Sequence, residues 1–175
     1  FLTFFATFTS GPIDRSRRFM EDADARPDRR AYADLLTRGV LMLFAGAVMQ
    51  LVLATMARGF YDPASAPAGV LTVDALAVPA AVREVARAYG YAAYLFFDFA
   101  GYSLMAVGAS CCFGIATPTN FRAPYVAVDI KDFWNRWHIT LSTWLRDFVF
   151  MRFVRTATKR KLFANRVQTA CAGYL

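Results

Sequence analysis

The sequence predicts an all-α, polytopic integral membrane protein. Residues 40–57 carry no charged side chain, and residues 89–115 carry only Asp98. Both runs are close to the length of about 20 apolar residues that a helix needs to cross a bilayer. The whole chain is 57% hydrophobic and 19% charged, whereas soluble domains average about 45–50% apolar and about 25% charged residues. Its 17 Phe and 8 Tyr are typical of membrane proteins with aromatic belts.

Apolar and basic stretches alternate along the chain and divide it into segments. We expect the end of a span at 1–9, a basic cytoplasmic loop at 10–33, a span at 34–57, an external loop at 58–88, a span at 89–115, an amphipathic motif helix at 129–153, a basic cytoplasmic segment at 154–166 and the start of another helix at 167–175. Six Arg occur in the first basic stretch, and six Lys or Arg occur within residues 152–166; such an excess marks cytoplasmic loops. Both ends of the motif helix then face the cytoplasm, so we expect it to be re-entrant or interfacial.

Other features narrow the class of protein. An apolar run is already under way at residue 1, and no signal-peptide pattern is visible, so we interpret the chain as the central part of a longer protein. Three Cys, two of them adjacent, and a single His match neither a disulfide framework nor a metal-ligand pattern. We interpret the basic stretches as topology determinants that contact anionic membrane lipids, and we expect no nucleic-acid partner.

Residues 132–147 concentrate polar and aromatic side chains, including the only His of the chain. Ionisable groups are costly near lipid, so such a cluster is a candidate functional site. On a continuous helix, residues four apart share a face. One polar face then contains Trp134, His138, Ser142 and Arg146.

The residues alone leave several roles open. His138 has an unperturbed pKa near neutrality, so it is either a general base, a hydrogen-bond donor to an acyl carbonyl or a structural histidine. Arg136 and Arg146 either bind an anion or pair internally, with Asp132 as the partner of Arg136. Ser142 lies one helical turn from His138, which suggests a Ser–His pair. A hydroxyl that forms a hydrogen bond to its own helix backbone is the simpler interpretation. Asp98, alone in a span, requires a partner, for which we consider an arginine of the motif helix.

Several stretches together resemble the membrane-bound O-acyltransferase family. They are Phe133-Trp-Asn-Arg-Trp-His138, Leu141-Ser142, Trp144-Leu-Arg-Asp147, Phe97-Asp-Phe-Ala-Gly-Tyr-Ser103 and Pro118-Thr-Asn-Phe-Arg-Ala-Pro-Tyr125. Ser10-Gly-Pro-Ile-Asp-Arg15 and Phe148-Val-Phe-Met-Arg-Phe153 look like the DltB branch of that family. The related alginate acetyltransferase branch usually has Pro-Leu-Gly-Gly-Asn after the motif, and this chain lacks that stretch.

The resemblance implies a helical bundle with a tunnel through the plasma membrane. DltB-like proteins take D-alanine from the phosphopantetheine thioester of an acyl carrier protein and pass it toward teichoic acid or a similar envelope acceptor. The chain itself then binds no cofactor, since the carrier supplies the thioester. His138 matches the first of two family site positions, and the residues implied to line the tunnel or substrate are Asn135, Arg136, Trp137, Ser142, Arg146 and Asp98. The second His of the family, which the resemblance implies to be the principal catalytic one, lies downstream, and no His follows His138 here; this piece alone is therefore expected to be inactive.

A docking face for the carrier is expected at the end of the motif helix. Apolar Phe150, Met151, Phe153 and Val154 precede basic Arg155, Lys159, Arg160 and Lys161. An apolar anchor with a basic rim suits an acidic carrier, since the rim raises the association rate. The alternative is a helix that lies on lipid with snorkelling Lys and Arg.

Two other functions remain open on the sequence alone. One is an exopolysaccharide O-acetyltransferase of the alginate type, which differs in its acyl donor. The other is a non-catalytic membrane scaffold or channel segment, for which replacing His138 leaves acyl transfer intact.

Overall fold

The structure, a computed structural model, describes Phe4, Thr7 and residues 11–25 and 27–160. The chain divides into two compact units, Phe1–Thr119 and Asn120–Leu175. All regular secondary structure of the described residues is helical, which confirms the predicted fold class. Apart from Phe4 and Thr7, the expected end of a span at 1–9 lies outside the described residues. So do the end of the basic segment and the helix expected at 167–175.

A short helix of the first unit, α1 (Ser16–Asp24), lies inside the predicted basic loop. Arg18 on this helix donates hydrogen bonds to the carboxylates of Asp14 and Asp22. It also donates to the carbonyl oxygen of Ala116 at 2.5 Å, and the Ala116 N–H donates to Asp22 at 3.2 Å. Arg18 therefore links the chain before the first long helix to the chain after the second one.

The first long helix, α2, runs from Arg29 to Tyr61 and contains the span predicted at 34–57. Asp28 caps it by accepting a hydrogen bond from the Ala31 N–H at 2.7 Å, which satisfies one of the unpaired amides of the first turn. Its 33 residues give a length of about 50 Å at about 1.5 Å per residue, more than the about 30 Å of a bilayer core. Val48–Leu53 is π-helical.

The second long helix, α3 (Ala80–Cys112), is shifted from the span predicted at 89–115. It starts earlier because charged residues in its first turns continue the helix: Arg87 pairs with Glu84 at 3.1 Å and with Asp74 at 2.9 Å. It ends earlier because Gly114 adopts φ +83°, and the Ile115 N–H bonds to the Ser110 carbonyl oxygen, as in a Schellman cap. The loop that we expect to be external therefore shortens to 62–79, with 3₁₀ turns at Pro63–Ser65 and Val73–Ala75.

Helices α2 and α3 pack antiparallel along a glycine seam, formed by Gly39, Gly46, Gly101 and Gly108. A Cβ atom on Gly39 would lie 2.7 Å from the Gly108 carbonyl oxygen, and one on Gly46 would lie 2.6 Å from the Gly101 carbonyl oxygen. Small residues allow backbones to approach this closely, which is how helices associate in membranes. Both helices are long and apolar enough to cross a membrane.

Over residues 120–160, which the structure describes, the second unit contains a 3₁₀ turn at Pro124–Val126 and two further helices. The first is α4 (Ile130–Trp134), capped by Asp129, whose carboxylate accepts the Asp132 N–H at 2.6 Å. The second, α5, covers residues 139–159. It is α-helical over Ile139–Trp144, π-helical over Leu145–Phe150 and α-helical again over Met151–Lys159.

The prediction of one continuous motif helix over 129–153 is wrong. The chain leaves the helical path at 135–138, where His138 adopts φ +44° and ψ +54°. Two backbone bonds from outside the helix cause the break: the Ile139 N–H donates to the Asn120 carbonyl oxygen at 2.9 Å, and the Arg122 N–H donates to the Arg136 carbonyl oxygen at 3.0 Å. The single polar face that we predicted from Trp134 to Arg146 is therefore interrupted at His138.

Candidate active site

His138 lies at the break between α4 and α5, beside Asn120. Its Nδ1 atom is 3.3 Å from Asn120 Oδ1. The Thr140 hydroxyl donates to the same oxygen at 2.5 Å. Asn120 is only 1% exposed, whereas His138 is half-buried. The polar centre of the second unit therefore consists of a buried amide, a buried hydroxyl and a partly accessible imidazole.

The environment of His138 favours the neutral imidazole. Partial burial removes water from the ring and so lowers the pKa of His138 below its ordinary value of 6.5. A neutral imidazole has one nitrogen with a lone pair, and this nitrogen can accept a proton from a substrate hydroxyl. The side chain is therefore suited to general-base chemistry near neutral pH.

Trp137 belongs to an aromatic cluster beside this centre. Its ring meets Phe121 edge to face, with centroids 5.1 Å apart, and stacks on Phe133 at 5.7 Å. Such pairs add to the stability that burial alone provides. The cluster joins α4 to the segment that carries Asn120, so we interpret Trp137 as support for the site.

Arg136 is held by an internal ion pair. Its Nε donates to Asp132 at 2.8 Å, which confirms the pairing predicted as the alternative to anion binding. This hydrogen bond lowers the pKa of Asp132 below its usual value. Arg146 instead pairs with the adjacent Asp147 at 3.0 Å and is mostly exposed.

A cavity of about 740 Å³ lies between α4 and the first part of α5. It includes three of the predicted lining residues, Asn135, Ser142 and Arg146. The full lining consists of Ile130, Lys131, Trp134, Asn135, Ile139, Ser142, Thr143, Leu145, Arg146, Val149 and Phe150. Its volume falls within the about 300–1,000 Å³ of small-molecule sites, and mostly apolar walls with a few polar groups are typical of such sites.

Asp98 is placed differently from our expectation. It lies in α3 of the first unit and accepts a hydrogen bond from Gln50 Nε2 at 3.3 Å. We had considered an arginine of the motif helix as its partner. Gln50 belongs to the π-helical stretch of α2, and π-bulges often occur at functional positions. Gln50 therefore supplies a polar partner for Asp98 between the two long helices.

The predicted docking residues share one face of the last part of α5. At about 100° per residue, from 3.6 residues per turn, Met151, Arg155 and Lys159 form a single stripe, and Val154 lies beside it. Phe153 points roughly 160° away from Met151 on the same geometry, so it does not belong to this face. Met151 and Phe153 are nearly equally exposed, at 37% and 38%.

Sequence reasoning did not select two of the residues that surround His138. Asn120 was visible only as part of the Pro118-Thr-Asn motif, and Thr140 only as a polar position on the motif helix. Their contacts depend on a separation of about 20 residues, which helical periodicity does not report. Within residues 11–25 and 27–160, no three His, Cys, Asp or Glu side chains converge as a metal site.

The fold and the site define a class of protein: a helical membrane protein whose second unit contains a histidine at a helix break and a ligand-sized cavity that His138, Arg136 and Trp137 do not line. Residues 1–169 match the membrane-bound O-acyltransferase family. Since this match covers nearly the whole chain, the chain belongs to that family.

Individual relatives give a finer comparison. The chain is 41% identical over 174 residues to the teichoic acid D-alanyltransferase of Bacillus subtilis (strain 168), covering 99% of this chain and 42% of that protein. It is 41% identical over 175 residues to that of Lacticaseibacillus rhamnosus, covering 100% and 43%. It is 33% identical over 168 residues to the probable alginate O-acetylase of Pseudomonas syringae pv. tomato, covering 93% and 30%. The chain thus spans less than half the length of these relatives.

Proposed function

We propose that this chain is the central part of a DltB-type membrane O-acyltransferase that crosses the plasma membrane several times. The whole protein transfers D-alanine from a phosphopantetheinyl carrier protein toward teichoic acid or a similar cell-envelope acceptor. The observation that carries the proposal is the 41% identity to teichoic acid D-alanyltransferases over essentially the whole chain. Identity to the alginate O-acetylases is lower, at 32–33%.

The proposed reaction converts a thioester and an alcohol into an ester and a thiol. The acceptor hydroxyl oxygen bonds to the D-alanyl carbonyl carbon, the carbon–sulfur bond breaks, and the hydroxyl proton ends on the phosphopantetheine thiol. His138 accepts this proton through the lone pair of its neutral imidazole. The resemblance places a second histidine of the whole protein downstream of His138, and that residue completes the site.

The cavity between α4 and α5 is our candidate for the phosphopantetheine arm. Asn135 and Ser142 offer hydrogen-bonding groups for the amides of the arm, and Arg146 and Lys131 offer positive charge for its phosphate. The apolar walls suit the methylene groups between these polar parts. The acyl donor therefore comes with the carrier, and the chain itself requires no bound cofactor.

The carrier docks, in this proposal, on the stripe of Met151, Arg155 and Lys159 with Val154 beside it. Residues 151–160 contain no acidic side chain, so the face carries positive charge around an apolar centre. Acidic partners are attracted by such a rim, and buried apolar side chains supply most of the affinity. Membrane lipids contact the two long apolar helices.

A pull-down with matched variants tests the docking face. We expect Met151→Asp and Val154→Asp to reduce capture of the carrier by detergent-solubilised full-length protein at least about tenfold, since a buried charge without a partner is costly. Phe153→Asp introduces the same charge at an equally exposed position on another side of the helix and should leave capture unchanged. Equal capture by all four proteins would refute the docking face and favour a helix that lies on lipid.

The choice of acyl donor tests the function itself. Full-length protein in liposomes is supplied with carrier bearing labelled D-alanine, or with labelled acetyl thioesters, and with lipoteichoic acid as acceptor. We expect loss of the D-alanyl thioester above the rate of carrier alone, with label appearing on the acceptor. Transfer of acetyl but not D-alanyl groups would instead support an alginate-type acetyltransferase.

A further inference from the structure

His138 is held in an unusual backbone conformation by another segment of the chain. Its φ of +44° lies in the left-handed region, which non-glycine residues adopt only when the surroundings compensate. Residues in such conformations concentrate at functional sites. The compensation here has an identifiable source, because a single residue contacts three consecutive positions of the break.

That residue is Asn120. Its carbonyl oxygen accepts the Ile139 N–H at 2.9 Å, its Oδ1 accepts the Thr140 hydroxyl at 2.5 Å, and the same Oδ1 lies 3.3 Å from His138 Nδ1. The side chain is 1% exposed. Its Nδ2 atom has no hydrogen-bond partner among the described residues. The hydrogen bonding of Oδ1 therefore favours burial of this amide, although burying the unpaired Nδ2 costs free energy.

The acceptor beside Nδ1 decides the tautomer of the imidazole. An amide oxygen can only accept a hydrogen bond, so a neutral His138 that bonds to it must carry its proton on Nδ1. The lone pair then resides on Nε2. A partner at one ring nitrogen fixes the role of the other in the same way at many histidine sites.

We propose that Asn120 is a positioning residue for His138: it holds the helix break open and fixes the Nδ1–H tautomer, so that Nε2 is the proton-accepting atom. This inference rests on the proposed function, because it assigns His138 the base role there. The segments that flank the break carry the charged residues Arg122, Asp132 and Arg136, and the last two pair with each other. Asn120 thus provides a neutral acceptor beside the ring.

Chemical labelling of His138 tests the contact without relying on acyl transfer. Diethylpyrocarbonate modifies a histidine only in its neutral form, because the imidazolium has no free lone pair. The pH dependence of labelling at His138, measured by peptide mass spectrometry of the full-length protein, therefore reports the pKa of His138. Asn120→Asp keeps the acceptor but adds negative charge, which stabilises the imidazolium. We expect its labelling midpoint to rise by about one pH unit or more. Thr140→Val leaves the Asn120–His138 contact intact and should leave the midpoint near that of the wild type.

Kinetics then test the positioning. We expect Asn120→Ala to lower kcat about 10- to 100-fold, as loss of an orienting partner does at other sites, with little change in KM for the carrier. Asn120→Asp should recover much of that loss near neutral pH because an oxygen again faces Nδ1. A labelling midpoint that is unchanged in Asn120→Asp would overturn the proposal, even if Asn120→Ala fails to fold. Absence of D-alanyl transfer by the wild type would refute the proposed function but leave the labelling result to decide this inference.

Discussion

The glycine seam between α2 and α3 permits a stability prediction that can be worked out from distances. A Cβ atom on Gly46 would lie 2.6 Å from the Gly101 carbonyl oxygen and 2.6 Å from Met105 Cγ, against 3.4–4 Å for ordinary contact. The helices must therefore separate by several tenths of an ångström to accept any side chain. The Gly101 position is similarly tight, with 2.8 Å to the Gly46 carbonyl oxygen.

We expect Gly46→Leu to destabilise the protein. Overpacking costs about 1–3 kcal/mol and occasionally more, and the atoms of Leu beyond Cβ add to the overlap. The higher helix propensity of Leu relative to Gly stabilises the helix by only about 1 kcal/mol. In a protein the length of its relatives, of which this chain covers 42–43%, a net loss of about 2 kcal/mol corresponds to a fall in melting temperature of about 2–3 °C, at about 2.1 cal/mol/K per residue.

The assay is thermal unfolding of the detergent-solubilised full-length protein, followed by intrinsic fluorescence. Ala45→Leu is the matched control, because it adds the same side chain at the neighbouring, exposed position of α2 with almost no change in helix propensity. It should melt within about 1 °C of the wild type, as surface substitutions usually do. Equal melting temperatures for Gly46→Leu and Ala45→Leu would refute the close packing of the two helices.

Two further predictions concern charged groups outside the membrane spans. Arg18→Met should lower the free energy of unfolding by about 2 kcal/mol or more, because it leaves the Asp14 carboxylate, 1% exposed, without its ionic partner. Arg17→Met, which removes only the exposed pair with Glu21, should change it by less than about 1 kcal/mol. Equal changes in the free energy of unfolding for the two variants would contradict a stabilising ion pair between Arg18 and Asp14. The lowered pKa of His138 means that the unfolded chain binds this proton more readily, so stability should fall as pH drops below about 6.5. His138→Gln should reduce the difference between the melting temperatures at pH 5 and pH 7.5, and an unchanged difference would contradict a half-buried imidazole that is neutral in the folded protein.

The sequence predicted the elements whose signal is local. The uncharged run at 40–57 is sufficient to place α2, because length and composition alone determine a span. The aromatic and polar content of residues 132–147 likewise indicated the segment that contains our candidate site. The internal pairing of Arg136 with Asp132 followed from their spacing of four residues.

The break at His138 was not predictable from periodicity. Residues 129–153 have helical spacing throughout, and the break depends on hydrogen bonds from Asn120 and Arg122, which come from a separate part of the chain. The same reason explains why Asn120 was missed as a site residue. Asp98 bonds to Gln50 and not to the arginine that we expected. This partner depends on tertiary packing, which no short pattern in a single sequence encodes.

The role of His138 in acyl transfer is tested most directly by one rate comparison. Full-length wild type, His138→Ala and Val128→Ala are each supplied with carrier bearing labelled D-alanine, and the initial rate of label transfer to the acceptor is measured. Val128 is 89% exposed in the same unit and serves as the control for truncation. We expect Val128→Ala to match the wild type and His138→Ala to be slower by about 10²–10⁴-fold, the usual contribution of a general base. Transfer at the wild-type rate in His138→Ala would contradict the proposed site.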